Sequence, residues 1–297
     1  MSERRASVRS HLITTKTFIF YDIVSDLPPL KIVDVGALPI QGVPEPYEKL
    51  LTRGYANFIG FEAGAAGCKA LTEKHGPPHR FLPFIIGDGT NAVFHRNKEV
   101  MTSSLFKPNM NLISYFAGLE NLVAPESSQP VQTYTLDDVI DWDELDFLQM
   151  DIQGGELSVL EGCGRLLPNT LVVQAEVEFV EIYHDQLLFA DIDQHLRKAG
   201  FQFHTFLGFG QRPYKTGGAI EGSITKTRQV LWSDAVYVPD ATTLSDQSTE
   251  RLLKLAAILH DIYTSVDLVL HILAIVAGRG SPDPQERFVK ALIASQS

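Results

Sequence analysis

Short apolar runs and helical stripes alternate through the middle of the chain. Lys31 to Val35 (KIVDV) reads as a strand ending at Gly36. A loop rich in proline and glycine follows, then a helix from about Glu45 to Arg53, with Pro46 suited to its first turn. Asn57 to Glu62, Phe81 to Ile86, Leu145 to Met150 and Thr170 to Val177 read as four more strands. The period then changes. Leu188, Ile192, Leu196 and Ala199 share one helical face, and Gly200 ends the helix. Phe201 to Leu207 and Gln229 to Val238 close the series as strands with no helical signal between them. Near-continuous apolar strands separated by helices belong in a parallel sheet covered on both faces. The predicted fold is α/β: a doubly wound, seven-stranded, mostly parallel sheet with an antiparallel edge strand.

Two stretches fall outside that rhythm. Asn91 to Gln132 is long for one connection, and its segment Met101 to Asn109 (MTSSLFKPN) reads as an ordered loop. Asp240 to Ser248 is a polar boundary, followed by two helices, about Thr249 to Tyr263 and Ser265 to Ala277. The expected organisation is an N-terminal segment (residues 1–30), the sheet domain (31–239) and a C-terminal helical extension (240–297). The first extension helix carries one apolar stripe: Leu252, Leu255, Ala256, Leu259 and Ile262. The second is apolar nearly all round, so it must pack over the sheet edge or pair with its copy in a homodimer.

Composition changes this picture only at the margins. Hydrophobic residues are 44% and charged ones 21%, as in an ordinary globular chain. A net charge of −11 argues against a nucleic-acid partner, whose phosphates recruit clustered Lys and Arg. The longest apolar run, Val266 to Ala277, is broken by Asp267 and His271 and is too short for a membrane span. The basic N-terminus has no apolar core after its arginines, so no signal peptide is read. Cys68 and Cys163 fit neither a disulfide framework nor a zinc pattern and read as buried thiols of a reducing, cytoplasmic setting.

In an open parallel sheet, ligands bind beyond the carboxyl ends of the strands, where the strand order reverses. The residues ending the strands are Asp34 and Gly36, Glu62, Asp88 and Asp151. Asp34 to Gly36 is either a tight turn or a place where backbone approaches a ligand. Glu62 can accept both hydroxyls of a ribose, or stand solvated at a strand end. Asp88, between Gly87 and Gly89, can cap a turn or accept from an adenine amine. The first loop, VDVGALPIQG, has Gly36, Pro39 and Gly42 but no GxG, which disfavours a pyrophosphate and hence a nicotinamide-dependent reductase.

Taken in order, VDVGA (Val33 to Ala37), FIGFEAG (Phe58 to Gly64) and FIIGDGT (Phe84 to Thr90) resemble the cofactor half of S-adenosylmethionine-dependent methyltransferases of the Rossmann-like class I. LDDVI (Leu136 to Ile140), DFLQMDIQGGELSVLEG (Asp146 to Gly162) and QAEVEFVEIY (Gln174 to Tyr183) resemble the FkbM family. That family's D-x-x-G-x-E turn is matched by Asp151, Gly154 or Gly155, and Glu156, and its serine-rich loop by TSSLFKPN. The likeness runs from about Lys31 to Val238. It implies S-adenosylmethionine as cofactor and O-methylation of a hydroxyl on a sugar, glycan or secondary metabolite. Cofactor contacts are expected from Asp34, Gly36, Glu62, Ala63, Gly87, Asp88, Ser103 and Asp151.

An alcohol must lose its proton during such a transfer, so a general base is wanted. Asp151 is the first candidate, with a cofactor-binding or loop-holding role as its alternative. Glu156 and Glu178 are the others. Glu156 opens a helix, where a carboxylate also suits the dipole. Glu178 and Glu176 alternate with Ala175 and Val177 and so point to one side of their strand. His184 is a further possible base, whereas His204, inside FQFHTF, reads as structural. These carboxylates suit Mg²⁺ or Ca²⁺, but no ligand spacing demands a metal. The non-enzymatic alternative is a nucleoside-binding scaffold that has lost its chemistry.

Overall fold

The computed structural model describes residues 18–24, 26–38, 44–216 and 227–295. Most of the segment expected over residues 1–30, and Pro39 and Gly42 of the first loop, lie outside the described residues. The strands are β1 (Leu30–Val35), β2 (Ala56–Phe61), β3 (Arg80–Leu82), β4 (Asn91–Asn97), β5 (Pro125–Gln132), β6 (Leu145–Met150), β7 (Thr170–Glu178), β8 (Phe201–Phe206), β9 (Gly210–Gln211) and β10 (Val230–Pro239). The helices are α1 (Glu48–Thr52), α2 (Ala65–His75), α3 (Met110–Ile113), α4 (Leu119–Leu122), α5 (Leu136–Val139), α6 (Glu156–Glu161), α7 (Phe189–Lys198), α8 (Thr249–Asp261), α9 (Val266–Gly278) and α10 (Asp283–Ser295).

The main sheet runs β3-β2-β1-β6-β7-β10-β8, with β9 paired to β10. β1, β2, β3, β6 and β7 are parallel. β10 runs antiparallel between β7 and β8, which makes it the reversed strand one place in from the edge. This is the mostly parallel, doubly wound class I sheet expected from the sequence. Its order reverses between β1 and β6, and a cleft opens there.

Alternation within each strand sorts side chains onto two faces. Val33, Val35, Ile59, Phe61, Leu148 and Val173 meet Leu157 and Leu160 of α6 and Ile192 and Leu196 of α7. On the other face, Ile32, Phe58, Phe147 and Val172 share one cluster with Leu252, Leu255 and Leu259 of α8 and Val269, Ile272 and Leu273 of α9. The C-terminal helices therefore form one covering layer of the sheet.

Several expectations are corrected. The third strand stops at Leu82, because Pro83 has no N–H for the ladder, and Ile86 makes only an isolated bridge to Tyr134. The helix near Pro46 spans only Glu48–Thr52. The stretch Asn91 to Gln132 contains an antiparallel ribbon, β4 with β5, in register Asn91↔Gln132. A further helix, α10, follows Pro282, and its Phe288 is fully buried in the cluster that holds α9. The apolar surface of α9 is thus covered within this chain, and its outward positions include Asp267, His271 and Ala274.

A buried ion pair ties the layer down. Lys254 of α8 is 2% exposed and lies 3.3 Å from Asp146 of β6, which is itself fully buried. His204 is structural, as expected: its Nε2 lies 2.7 Å from the Ser265 hydroxyl at the start of α9. Cys68 and Cys163 are buried free thiols.

Candidate active site

At the reversal point, β1 and β6 end side by side. Asp151 N–H donates to the Val35 carbonyl at 3.0 Å, continuing the ladder one residue past β6. Gly36 then turns away with φ +92°, and a Cβ there would stand 2.3 Å from the Asp151 carbonyl oxygen. The floor of the cleft is bare backbone at this point because only glycine fits it.

The turn from Asp151 to Glu156 is shaped by its own acid. Glu156 is fully buried, and its carboxylate accepts from Ile152 N–H at 2.8 Å and Gly154 N–H at 3.0 Å. Gly154 has φ +100°, while Gly155 has φ −90° at the start of α6, so Gly154 fills the glycine position of D-x-x-G-x-E. Burial pushes the Glu156 carboxyl up to about 7; its two backbone bonds oppose this and the Asp151 charge adds to it.

Around this floor lies a cleft of about 750 Å³, its open mouth included. One wall comes from the end of β2: Phe61, Glu62 and Ala63. A second is Phe84, Ile85 and Ile86. The ribbon and serine loop supply a third, with Phe94, Val100, Met101, Ser103, Ser104 and Leu105. Asp151, Ile152 and Gln153 close the floor beside Gly36. Burial pushes the Glu62 carboxyl up, opposed by the Gly64 N–H donating to Oε1 at 3.1 Å.

The structure thus brings Gly36, Glu62, Ala63, Ser103 and Asp151 around one cleft. Other expected site residues stand elsewhere. Asp34 points to the opposite sheet face from Val33 and Val35, fully buried, and takes the Tyr47 hydroxyl. Asp88 caps an exposed turn, accepting from Thr90 N–H at 2.9 Å and Thr90 Oγ1 at 2.7 Å. Gly87 packs against Thr133 rather than the cleft. Glu156 serves the turn, as above. Glu178 is fully buried opposite Trp232 and does not line the cleft.

Three residues escaped the sequence reading. Gln153 is 3% exposed and has φ +64°, and its Nε2 reaches Asp151 Oδ1 and Glu176 Oε2, each at 2.6 Å. Ser104 Oγ donates to the Gln153 carbonyl at 2.7 Å. The Tyr183 hydroxyl lies 2.8 Å from the Thr102 carbonyl and 3.3 Å from Gln153 Oε1. The available signal was a glutamine inside D-I-Q-G-G-E, flanked by acids. Among the described residues, no three His, Cys, Asp or Glu side chains gather as a metal site, and no helix is long and apolar enough to cross a membrane.

A mostly parallel sheet with a concave site at its reversal point, a bare glycine floor and an acid ending β2 defines a class I, Rossmann-like methyltransferase fold. The methyltransferase FkbM domain model matches residues 28–203, well over half of the sequence. The chain belongs to the FkbM methyltransferase family. No curated protein matches it significantly in sequence. Among solved structures, a candidate methyltransferase from Thermoplasma acidophilum is similar at 10% identity and a TM-score of 0.35, covering 72% of this chain and 70% of that one. The 23S rRNA methyltransferase ErmE is similar at 12% identity and a TM-score of 0.31, covering 97% of each chain.

Proposed function

We propose that this protein is an S-adenosylmethionine-dependent O-methyltransferase whose acceptor is a hydroxyl of a sugar, glycan or secondary metabolite. The observation that carries the reading is the joint placement of Glu62 and Asp151 on one cleft, either side of the bare Gly36 floor. The residues fit the cofactor. Glu62 has the position to accept ribose hydroxyls, Phe84 to Ile86 offer an apolar slot for a purine, and Gly36 leaves room for close approach to backbone. When bound, S-adenosylmethionine supplies an electrophilic methyl group on a sulfonium centre.

The protein's task is then mainly alignment of the acceptor oxygen with that centre. Asp151 is assigned as general base, since of Asp151, Glu156, Glu178 and His184 it is the one that lines the cleft. Phe94, Val100, Met101 and Leu105 exclude water from the opposite wall. A small acceptor suits both the acidic chain and the concave cleft, and the two buried free thiols suit a reducing compartment. The test is calorimetric titration of S-adenosylmethionine and its demethylated product, followed by an acceptor screen with radiolabelled methyl donor. Saturable binding with methyl incorporation blocked by Asp151→Asn supports the reading; a folded protein that binds neither nucleoside overturns it.

A further inference from the structure

Gln153 is the polar residue of the cleft floor to which the chemistry above gives no part. It occupies the left-handed region at φ +64°, which is strained for a residue with a Cβ. Side-chain bonds hold it there. Its amide nitrogen carries two hydrogens, and two carboxylate oxygens stand 2.6 Å away, one on Asp151 and one on Glu176. The amide orientation is fixed from both ends. Turned over, it would set its carbonyl oxygen against those two acceptors, whereas as placed that oxygen faces the Tyr183 hydroxyl. Its backbone carbonyl is tied to Ser104, so the same residue joins the turn after β6 to the serine loop that walls the cleft.

The choice of side chain has a chemical consequence. A lysine or arginine between the two acids would satisfy them by neutralising them, and would pull their affinity for protons far down. A glutamate there would add a third charge. Glutamine donates twice and adds no charge of its own, so it orients Asp151 without neutralising it. Among the described residues, ionisable groups near the pair include Glu156 at the start of α6, which feels the Asp151 charge, Asp234 of β10, in register with Glu176, and Tyr183 after β7.

We propose that Gln153 is a positioning residue for methyl transfer, its amide bridging Asp151 and Glu176 so that Asp151 meets the acceptor hydroxyl as an oriented, proton-accepting carboxylate. The proposal rests on the assignment of Asp151 as base. It is tested on the full chain without ligand by following the carboxyl carbons of Asp151 and Glu176 by ¹³C NMR across pH, in wild type and Gln153→Met. Methionine keeps the volume and removes both donors. The expected result is that at least one of the two carboxyls titrates about one pH unit or more higher in the variant. Should Gln153→Met fail to fold, Tyr183→Phe releases the amide's far end and is expected to shift the same carboxyls in the same direction by less. A folded variant whose two carboxyls titrate as in wild type overturns the proposal. Calorimetry with S-adenosylmethionine on the wild type is run alongside: absence of binding would sink the methyltransferase reading, while the titration still decides whether the bridge controls Asp151.

Discussion

Replacing Gly36 by alanine tests whether the cleft floor is built as described. The added Cβ would stand 2.3 Å from the Asp151 carbonyl oxygen and 3.2 Å from Ile152 Cγ2. An ordinary carbon–oxygen approach is about 3.3 Å, so the two strand ends must part by roughly 1 Å. Overpacking of this kind costs about 1–3 kcal/mol. The φ of +92° adds about 1–2 kcal/mol for any residue with a Cβ. Together the loss is about 2–5 kcal/mol, or roughly 4–10 °C in melting temperature for a chain of this size. Gly54 supplies the control, because it has φ +72° but nothing within 4 Å of a Cβ. Gly54→Ala is expected to lower the melting temperature by only about 2–4 °C, from backbone strain alone. Thermal melts of both variants, with S-adenosylmethionine titrated into each, separate strain from steric conflict. Gly36→Ala should weaken nucleoside binding at least tenfold, and Gly54→Ala should leave it unchanged. Equal melting temperatures for the two variants, with nucleoside affinity intact in Gly36→Ala, would refute the close approach of β1 and β6 as the reason for the glycine.

Three further outcomes follow from the same structure. Lys254→Met leaves Asp146 buried without its cation and should cost about 3–5 kcal/mol in urea unfolding, while Lys254→Met with Asp146→Leu should recover most of it. Because burial raises the folded Glu156 carboxyl from 4.5 to about 7, the native state binds more protons between those values, and stability should fall as pH rises through that window. Glu156→Gln should flatten that decline in melts taken across pH; the slope that remains combines Glu62, Asp146 and Asp261, whose carboxyls burial also raises, with His75, His79, His95 and His204, whose imidazoles burial lowers and which act in the opposite sense. A chain ending at Asp240 loses Leu252, Leu255 and Leu259 from the cover of β1, β2 and β6, at about 1.5–3 kcal/mol for each side chain, and should show no cooperative melt.

The sheet was legible because its strands are buried on both faces and read as near-continuous apolar runs. LDFLQM and TLVVQAEVE need no partner information to be recognised. The ribbon was not legible for the opposite reason: PESSQPVQ is exposed along its length and carries no alternating pattern, so only its pairing with β4 makes it a strand. Helix α10 was hidden because the cover it gives α9 rests on one large buried residue, Phe288. At the site, Glu62 and Asp151 could be placed because strand ends point to the cleft whatever the loops do. Asp34 and Asp88 could not be sorted from them, since each was read by position alone. Which way Asp34 faces depends on Tyr47 lying across the other side of β1, and Asp88 is claimed by Thr90 two residues away. Gln153 was invisible for a third reason. Its role comes from Glu176 and Tyr183, which are distant in sequence and meet it only in the fold.

The most direct measurement is calorimetric titration of S-adenosylmethionine and its demethylated product into wild type and Glu62→Ala. Loss of hydrogen bonds to a charged acceptor is worth about 1.5–3 kcal/mol, so the variant should bind roughly 10- to 100-fold more weakly while melting as wild type does. Saturable one-to-one binding with that loss establishes the cleft between β1, β2 and β6 as the cofactor site. Equal binding by both proteins, or none by a folded wild type, contradicts it.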